Sequence, residues 1–131
     1  MSGSKLLIVD DEASARKSLA RVLHQAGFDC SFAANVQEAK ARLNELSFDL
    51  VLTDVNMPGE SGIDLARHVT NQYPGVGLIF VTAIEKPISA EAAMELDILG
   101  FLLKPFSPIE ILVLVRTSIR LLKLEKKRAR E

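Results

Sequence analysis

Cysteine is almost absent from this chain, and tryptophan is absent altogether. The single cysteine, Cys30, excludes an internal disulfide and fits a reducing compartment. Cys30 alternates with Phe28 and Phe32, so we interpret it as a small core residue rather than a reactive thiol. The two histidines, His24 and His68, have no partner at metal-ligand spacing, which argues against both a zinc site and a phosphodonor role.

The chain also lacks a long apolar run and an excess of charge of one sign. No apolar stretch is long enough to span a bilayer, and the first four residues lack the basic and apolar parts of a signal peptide. A net charge of -1 gives no global field that would draw the protein to nucleic acid or to an anionic membrane. We therefore expect a cytoplasmic protein whose function depends on a local site.

Short apolar runs alternate with segments of helical period along the whole chain. The 131 residues, 48% of them hydrophobic, suffice for one domain with its own core. The apolar runs lie at residues 6–9, 50–53, 78–81 and 101–103, with a weaker alternating run at 28–33 that is typical of an edge strand. Helical periodicity marks residues 15–26, 36–46, 63–69, 89–96 and the segment from Ser107 onward. Five alternations predict a doubly wound (βα)5 α/β fold with parallel strands.

The four strong runs each stop at a polar residue that can take part in chemistry. These residues are Asp10 and Asp11 after the first run, then Asp54, Thr82 and Lys104. If the runs are parallel strands, these side chains meet at the carboxyl edge of the sheet, where α/β proteins bind ligands. Three carboxylates, one hydroxyl and one ammonium at that edge predict a site for a divalent cation and a phosphoryl group.

Each of these residues also has a simpler interpretation. An acid after a strand can cap the next helix, Thr82 can cap a turn, and Lys104 can be a solvated strand end. However, Asp10 and Asp11 directly follow a buried strand, where like charges repel unless a cation lies between them. Hard oxygen ligands with room for water suit Mg2+ better than a transition metal. We choose Asp54 as the nucleophile that would form an aspartyl phosphate, because it precedes a permissive Met-Pro-Gly loop.

Four segments resemble the signatures of the receiver domain of bacterial two-component response regulators. They are LIVDDE at residues 7–12, LTDVNMPG at 52–59, VTA at 81–83 and LKPF at 103–106. Each motif alone is weak, but all four in this order are highly specific, and the resemblance covers residues 5–122. It implies a flavodoxin-like fold whose five-stranded parallel sheet has the order 2-1-3-4-5.

The resemblance further implies a phosphoacceptor switch rather than an enzyme with an external substrate. Asp54 would receive a phosphoryl group from a sensor histidine kinase or a phosphotransfer protein. The implied cofactor is Mg2+, which Mn2+ could replace. Its ligands would be Asp11, Asp54 and the main-chain carbonyl of Asn56, and Asp10 would act partly through water.

The same resemblance implies how phosphorylation would be read. Thr82 and Lys104 would contact the phosphoryl oxygens, and Thr82 would move together with Phe101 as the switch. The family often has tyrosine where Phe101 stands, so a read-out through a ring hydroxyl is excluded here. The switch would change the surface of the fourth helix, fifth strand and fifth helix, which would control an effector domain or a homodimer. The Lys104–Pro105 peptide is expected to be cis, and the turn at residues 96–100 is bulkier than the small Gly-Ala turn that is usual in that family.

We divide the chain into a leader or expression remnant at residues 1–4, a receiver domain at 5–122, and a charged C-terminal helix extension or linker at 123–131. The basic end lacks interleaved aromatic residues, so we do not expect it to bind nucleic acid directly; a contact with a downstream domain or a second copy fits better. Two other functions stay open. An aspartyl-phosphate phosphatase would need a substrate-enclosing segment, and a phosphorylation-independent interaction module would be expected to lack an acid or the lysine.

Overall fold

The computed structural model describes residues 3–83 and 95–130. The strands are β1 (Lys5–Val9), β2 (Asp29–Ala33), β3 (Leu50–Thr53), β4 (Gly77–Thr82) and β5 (Gly100–Leu103). The helices are α1 (Ala13–Gln25), α2 (Val36–Glu45), α3 (Gly62–Gln72) and α4 (Pro108–Arg130). The strands form one parallel sheet of order β2-β1-β3-β4-β5, which confirms the predicted fold. The helix predicted at residues 89–96 lies mostly outside the described residues.

Two layers of apolar side chains cover the two faces of the sheet. Successive strand residues point to opposite faces, so Leu7 packs toward α2 and α3 while Leu6 and Ile8 pack toward α1 and α4. Every residue of β3 and β4 is buried. Burial on both faces explains why these strands appear in the sequence as continuous apolar runs.

The edge strands differ from the central ones. β2 is an edge strand, as predicted, and its Cys30 is half-buried against the core. β5 is the other edge strand: its Leu102 is buried, whereas Phe101 and Leu103 are 49% and 46% exposed.

The bulky turn before β5 is used inside the domain. Leu96 and Ile98 pack against the core layer beside α2 and α3, whereas Leu99 packs against the layer beside α1 and α4. These side chains therefore fix the start of β5 rather than forming a separate contact surface.

Helix α4 has one stripe on the core and another in solvent. Ile111, Val115, Ile119 and Leu122 are buried. Leu121 is 45% exposed on the outer side of the helix. The exposed stripe consists of Ile109, Val113, Leu121 and Leu124. Among the described residues, no helix combines the length and the apolar character needed to cross a membrane.

Candidate functional site

Three acidic side chains meet at the carboxyl edge of the sheet. Asp10 follows β1, Asp54 follows β3, and both main chains remain in the sheet's hydrogen bonding through their N–H groups. One carboxylate oxygen from each of Asp10, Asp11 and Asp54 lies within 4.8 Å of the others. Asp10 and Asp54 are only 2% and 8% exposed, whereas Asp11 is exposed. The sheet therefore gathers the three predicted acids into a single cluster that is open on one side.

Lys104 closes the buried side of this cluster. Its ammonium lies 2.9 Å from Oδ2 of Asp10 and 3.0 Å from Oδ2 of Asp54. Burial alone would lower the pKa of this ammonium, but hydrogen bonds and charge attraction from the two acids outweigh burial, so the pKa lies above its ordinary value. The Lys104–Pro105 peptide is cis, as predicted. The lysine is thus charged at neutral pH and bridges two acids from different strands.

The other oxygen of Asp54 accepts two further hydrogen bonds. The Thr82 hydroxyl donates to Oδ1 at 3.2 Å, and the main-chain N–H of Asn56 donates to the same atom at 3.1 Å. Thr82 is buried at the end of β4. Asn56 therefore reaches the cluster through its main-chain N–H. The role of its main-chain carbonyl as a metal ligand stays a prediction. Both carboxylate oxygens of Asp54 are therefore held by hydrogen bonds, Oδ2 by Lys104 and Oδ1 by Thr82 and Asn56.

Two residues that the motif reasoning did not single out hold the Asp54 main chain. The fully buried Thr53 hydroxyl donates to the Asp54 carbonyl oxygen at 3.0 Å. Gly62, the first residue of α3, packs so closely that a Cβ there would overlap this carbonyl oxygen and lie 2.9 Å from Val55 Cα. A glycine directly after the capping residue Ser61 is the signal that could have indicated this close approach.

The acids are not helix caps. The N-cap residue of α1 is Glu12, and it makes no side-chain capping bond. Asp10 instead accepts the N–H of Glu12 with Oδ1 at 3.0 Å and the ammonium of Lys104 with Oδ2. The donor set of the cluster consists of hard carboxylate oxygens, with one exposed member that leaves room for water. These residues fit a magnesium ion.

Phe101 lies beside the cluster but is separate from it. Its ring is 49% exposed, and its centroid is 5.7 Å from that of the buried Phe80 on β4. Thr82 contacts Asp54 in the same structure. The two predicted switch residues thus sit on neighbouring strands, with the hydroxyl turned inward and the ring partly outward.

Cys30 lies away from this edge of the sheet. Burial, with a smaller contribution from the charge of Asp29, raises the pKa of its thiol to about 11. The thiol therefore stays protonated at neutral pH, which agrees with the interpretation of Cys30 as a packing residue.

Comparison with known proteins identifies the family. The family model of the response regulator receiver domain matches residues 6–116, which is most of the chain. The chain belongs to the response regulator receiver domain family. This fold is found in signalling proteins, and the sheet order and the chain's four motifs agree with it.

Particular relatives support the same assignment. The phosphate regulon transcriptional regulatory protein PhoB of Pseudomonas aeruginosa is 36% identical over 122 residues, which are 92% of this chain and 53% of PhoB. The chain spans about half the length of the curated relatives it matches, or less. A receiver domain from Clostridium thermocellum has a TM-score of 0.85 at 27% identity, covering 92% of this chain and 98% of that chain.

A third relative is also known from a solved structure. The response regulator TrrA of Thermotoga maritima, in complex with Mg2+-BeF, has a TM-score of 0.79 at 28% identity. The alignment covers 88% of this chain and 98% of TrrA.

Proposed function

We propose that this chain is a phosphoacceptor switch of a two-component system, in which Asp54 receives a phosphoryl group from a sensor histidine kinase or a phosphotransfer protein. The observation that carries the proposal is the environment of Asp54. Its carboxylate is nearly buried, shares an acidic cluster with two other carboxylates, and is contacted by both Lys104 and Thr82. A nucleophile in such surroundings suits transfer to phosphorus.

In the proposed transfer, a carboxylate oxygen of Asp54 attacks phosphorus as the bond from phosphorus to the donor's imidazole nitrogen breaks. The electron pair of that bond leaves with the nitrogen. Oδ1 of Asp54 accepts two hydrogen bonds, from Asn56 and Thr82, whereas Oδ2 accepts one, from Lys104, so Oδ2 keeps a lone pair for the attack. In the proposed transfer, Lys104 and Thr82 would turn to the phosphoryl oxygens, where negative charge develops.

Asp10, Asp11, Asp54 and the main-chain carbonyl of Asn56 are the proposed ligands of Mg2+, with Mn2+ as a possible replacement. When bound, such an ion neutralises charge on the transferring phosphoryl oxygens. Lys104 supplies the complementary charge from the protein side. By this proposal the domain catalyses only its own phosphorylation and dephosphorylation.

The proposed output is a shift in population between two surfaces. Movement of Thr82 toward the phosphoryl group leaves space into which the half-exposed Phe101 ring can turn, which changes the face formed by β5, α4 and the segment before β5. PhoB is named as a transcriptional regulator and MtrA as a DNA-binding response regulator. We propose a cytoplasmic receiver domain at residues 5–122. The recipient of its signal would be an effector domain beyond residues 123–131 or a homodimer formed through α4.

A beryllofluoride titration followed by NMR tests this proposal. With Mg2+ present, we expect the amide resonances of Asp11, Asp54, Thr82 and Lys104 to shift because the analogue occupies the phosphoryl position. The resonance of Phe101 should shift as well, since its ring follows Thr82. Resonances of the distant Gly75 should not move.

The matched control is Asp54→Asn, which keeps the size of the side chain but removes the attacking carboxylate. This variant should show no beryllofluoride shifts while remaining folded. Equal shifts in the wild type and the variant would contradict Asp54 as the acceptor. No shifts in either protein would favour an interaction module that acts without phosphorylation.

A further inference from the structure

Arg16, on α1, reaches back to the end of β1. Its Nη1 atom donates a hydrogen bond to the main-chain oxygen of Asp10 at 2.6 Å. The main-chain N–H of Arg16 donates to the Glu12 carbonyl oxygen at 3.1 Å, and the Glu12 N–H donates to Oδ1 of Asp10 at 3.0 Å. These three bonds close the turn that joins the strand to the helix.

The start of α1 differs from the starts of the next two helices. The Asn35 side chain caps α2 by accepting from the N–H of Glu38, and Ser61 with Asp64 forms a capping box at α3. α1 has no side-chain cap. Because an uncapped helix start leaves its turn less restrained, the guanidinium of Arg16 adds a side-chain restraint between this turn and the helix.

The atom that Arg16 holds is well placed to control the acidic cluster. The main-chain oxygen of Asp10 belongs to the peptide group that connects Asp10 to Asp11. Rotation of that peptide would move the two carboxylates relative to each other. The Asp10 side chain is fixed from the other side by Lys104, but Asp11 is exposed, so its position depends mainly on its main chain.

We infer that Arg16 is a positioning residue for the acidic cluster: by holding the peptide between Asp10 and Asp11, it keeps their carboxylates at the spacing that a divalent cation requires. The inference rests on the proposed function, because it concerns the same site. Arg16 itself is neither a metal ligand nor a phosphoryl contact in this account.

If Arg16 acted only through its charge, its removal would change the Mg2+ affinity in the opposite direction. The cluster has three carboxylates and one ammonium, and a nearby guanidinium reduces its attraction for cations. Removing only a charge would therefore tighten Mg2+ binding, whereas removing a positioning contact weakens it. The sign of the change distinguishes the two roles.

The test is calorimetric titration of Mg2+ into four proteins: the wild type, Arg16→Met, Arg16→Lys and Lys17→Met. We expect Arg16→Met to weaken Mg2+ binding about tenfold, the typical effect of losing a charge-assisted hydrogen bond. Arg16→Lys retains a charged donor and should recover part of the loss. Lys17 is the next residue on α1 and is exposed, so Lys17→Met removes one positive charge without the contact and should bind Mg2+ at least as tightly as the wild type. Unchanged or tighter Mg2+ binding by Arg16→Met would overturn the inference.

Two further measurements distinguish failure of this inference from misfolding of the variant and from failure of the proposed function. Circular dichroism and urea unfolding of Arg16→Met establish whether the variant is folded at the titration temperature. If it is not, the titration is repeated at a lower temperature at which the variant is folded, and a wild-type affinity there overturns the inference. Phosphorylation by acetyl phosphate is measured in the wild type alone. If the wild type binds Mg2+ but gains no phosphoryl group, the proposed function fails while the Arg16 result still stands.

Discussion

Replacing Lys104 by methionine is expected to destabilise the protein by about 2 kcal/mol in Mg2+-free buffer at neutral pH. Methionine keeps most of the length of the side chain but removes the ammonium that contacts Asp10 and Asp54. The two acids are nearly buried and would face each other and Asp11 without compensation. The expected loss of folding free energy is smaller than for a fully buried ion pair because the Lys104 side chain is 24% exposed. Urea unfolding measures the loss, and added Mg2+ should restore part of it.

The same substitution is expected to slow phosphoryl gain from acetyl phosphate about a hundredfold, the typical cost of removing one donor that stabilises transition-state charge. Lys126→Met is the matched control, because Lys126 is 56% exposed and its ammonium lies 3.9 Å from Asp49. That variant should lose no more than about 0.5 kcal/mol and should be phosphorylated normally. Equal stability of the two variants would show that Lys104 does not compensate the cluster.

The raised pKa of Lys104 gives the stability difference between wild type and Lys104→Met a defined pH dependence. The folded-state pKa lies above the ordinary value of 10.5. The contribution of the ammonium is therefore fully present below pH 10.5 and is lost as the pH rises through the folded-state pKa. Urea unfolding should show a constant difference between the two proteins from about pH 7 up to that value and a shrinking difference above it.

Gly62→Ala is expected to destabilise the protein by about 3 kcal/mol and to slow phosphorylation of Asp54. Alanine is the better residue at a helix start by intrinsic propensity, so a loss of stability would have to come from packing. The new methyl group would overlap the Asp54 carbonyl oxygen and press on Val55. Both neighbours are main-chain atoms of a buried segment and cannot rotate away. Thermal unfolding should show a melting temperature lower by about 10 °C.

Gly75→Ala is the matched control for this substitution. A Cβ at Gly75 would meet no atom within 4 Å, and the residue does not have a positive φ. Alanine there should leave the stability unchanged or raise it slightly, because it restricts the unfolded chain. Similar melting temperatures for the two variants would contradict the close approach of α3 to the Asp54 main chain.

The sequence predicted the sheet and the acidic cluster well for a physical reason. Central parallel strands are buried on both faces and leave continuous apolar runs, and the residue that ends each run must lie at the carboxyl edge. Asp10, Asp54 and Lys104 were therefore placed correctly before any geometry was known. The helices predicted at residues 15–26, at residues 36–46 and from Ser107 onward were also correct, since short-range rules govern where helices begin and end.

The features that were missed depend on long-range packing. Nothing local distinguishes Phe101 and Leu103 from residues of a central strand, so their exposure became visible only once β5 was placed at the edge. The contact of Gly62 with the Asp54 carbonyl and the reach of Arg16 to Asp10 likewise depend on how a helix packs against the sheet. Which apolar stripe of α4 meets the core depends on the same packing, because periodicity marks apolar faces but does not say which one is buried.

The most direct test of the central claim is the intact mass of the protein after incubation with acetyl phosphate and Mg2+. The account predicts a gain of one phosphoryl group in the wild type, lost when Mg2+ is removed by chelation and lost in Asp54→Asn. The same gain in Asp54→Asn, or no gain in a folded wild type that binds Mg2+, would contradict the claim that Asp54 is the phosphoacceptor.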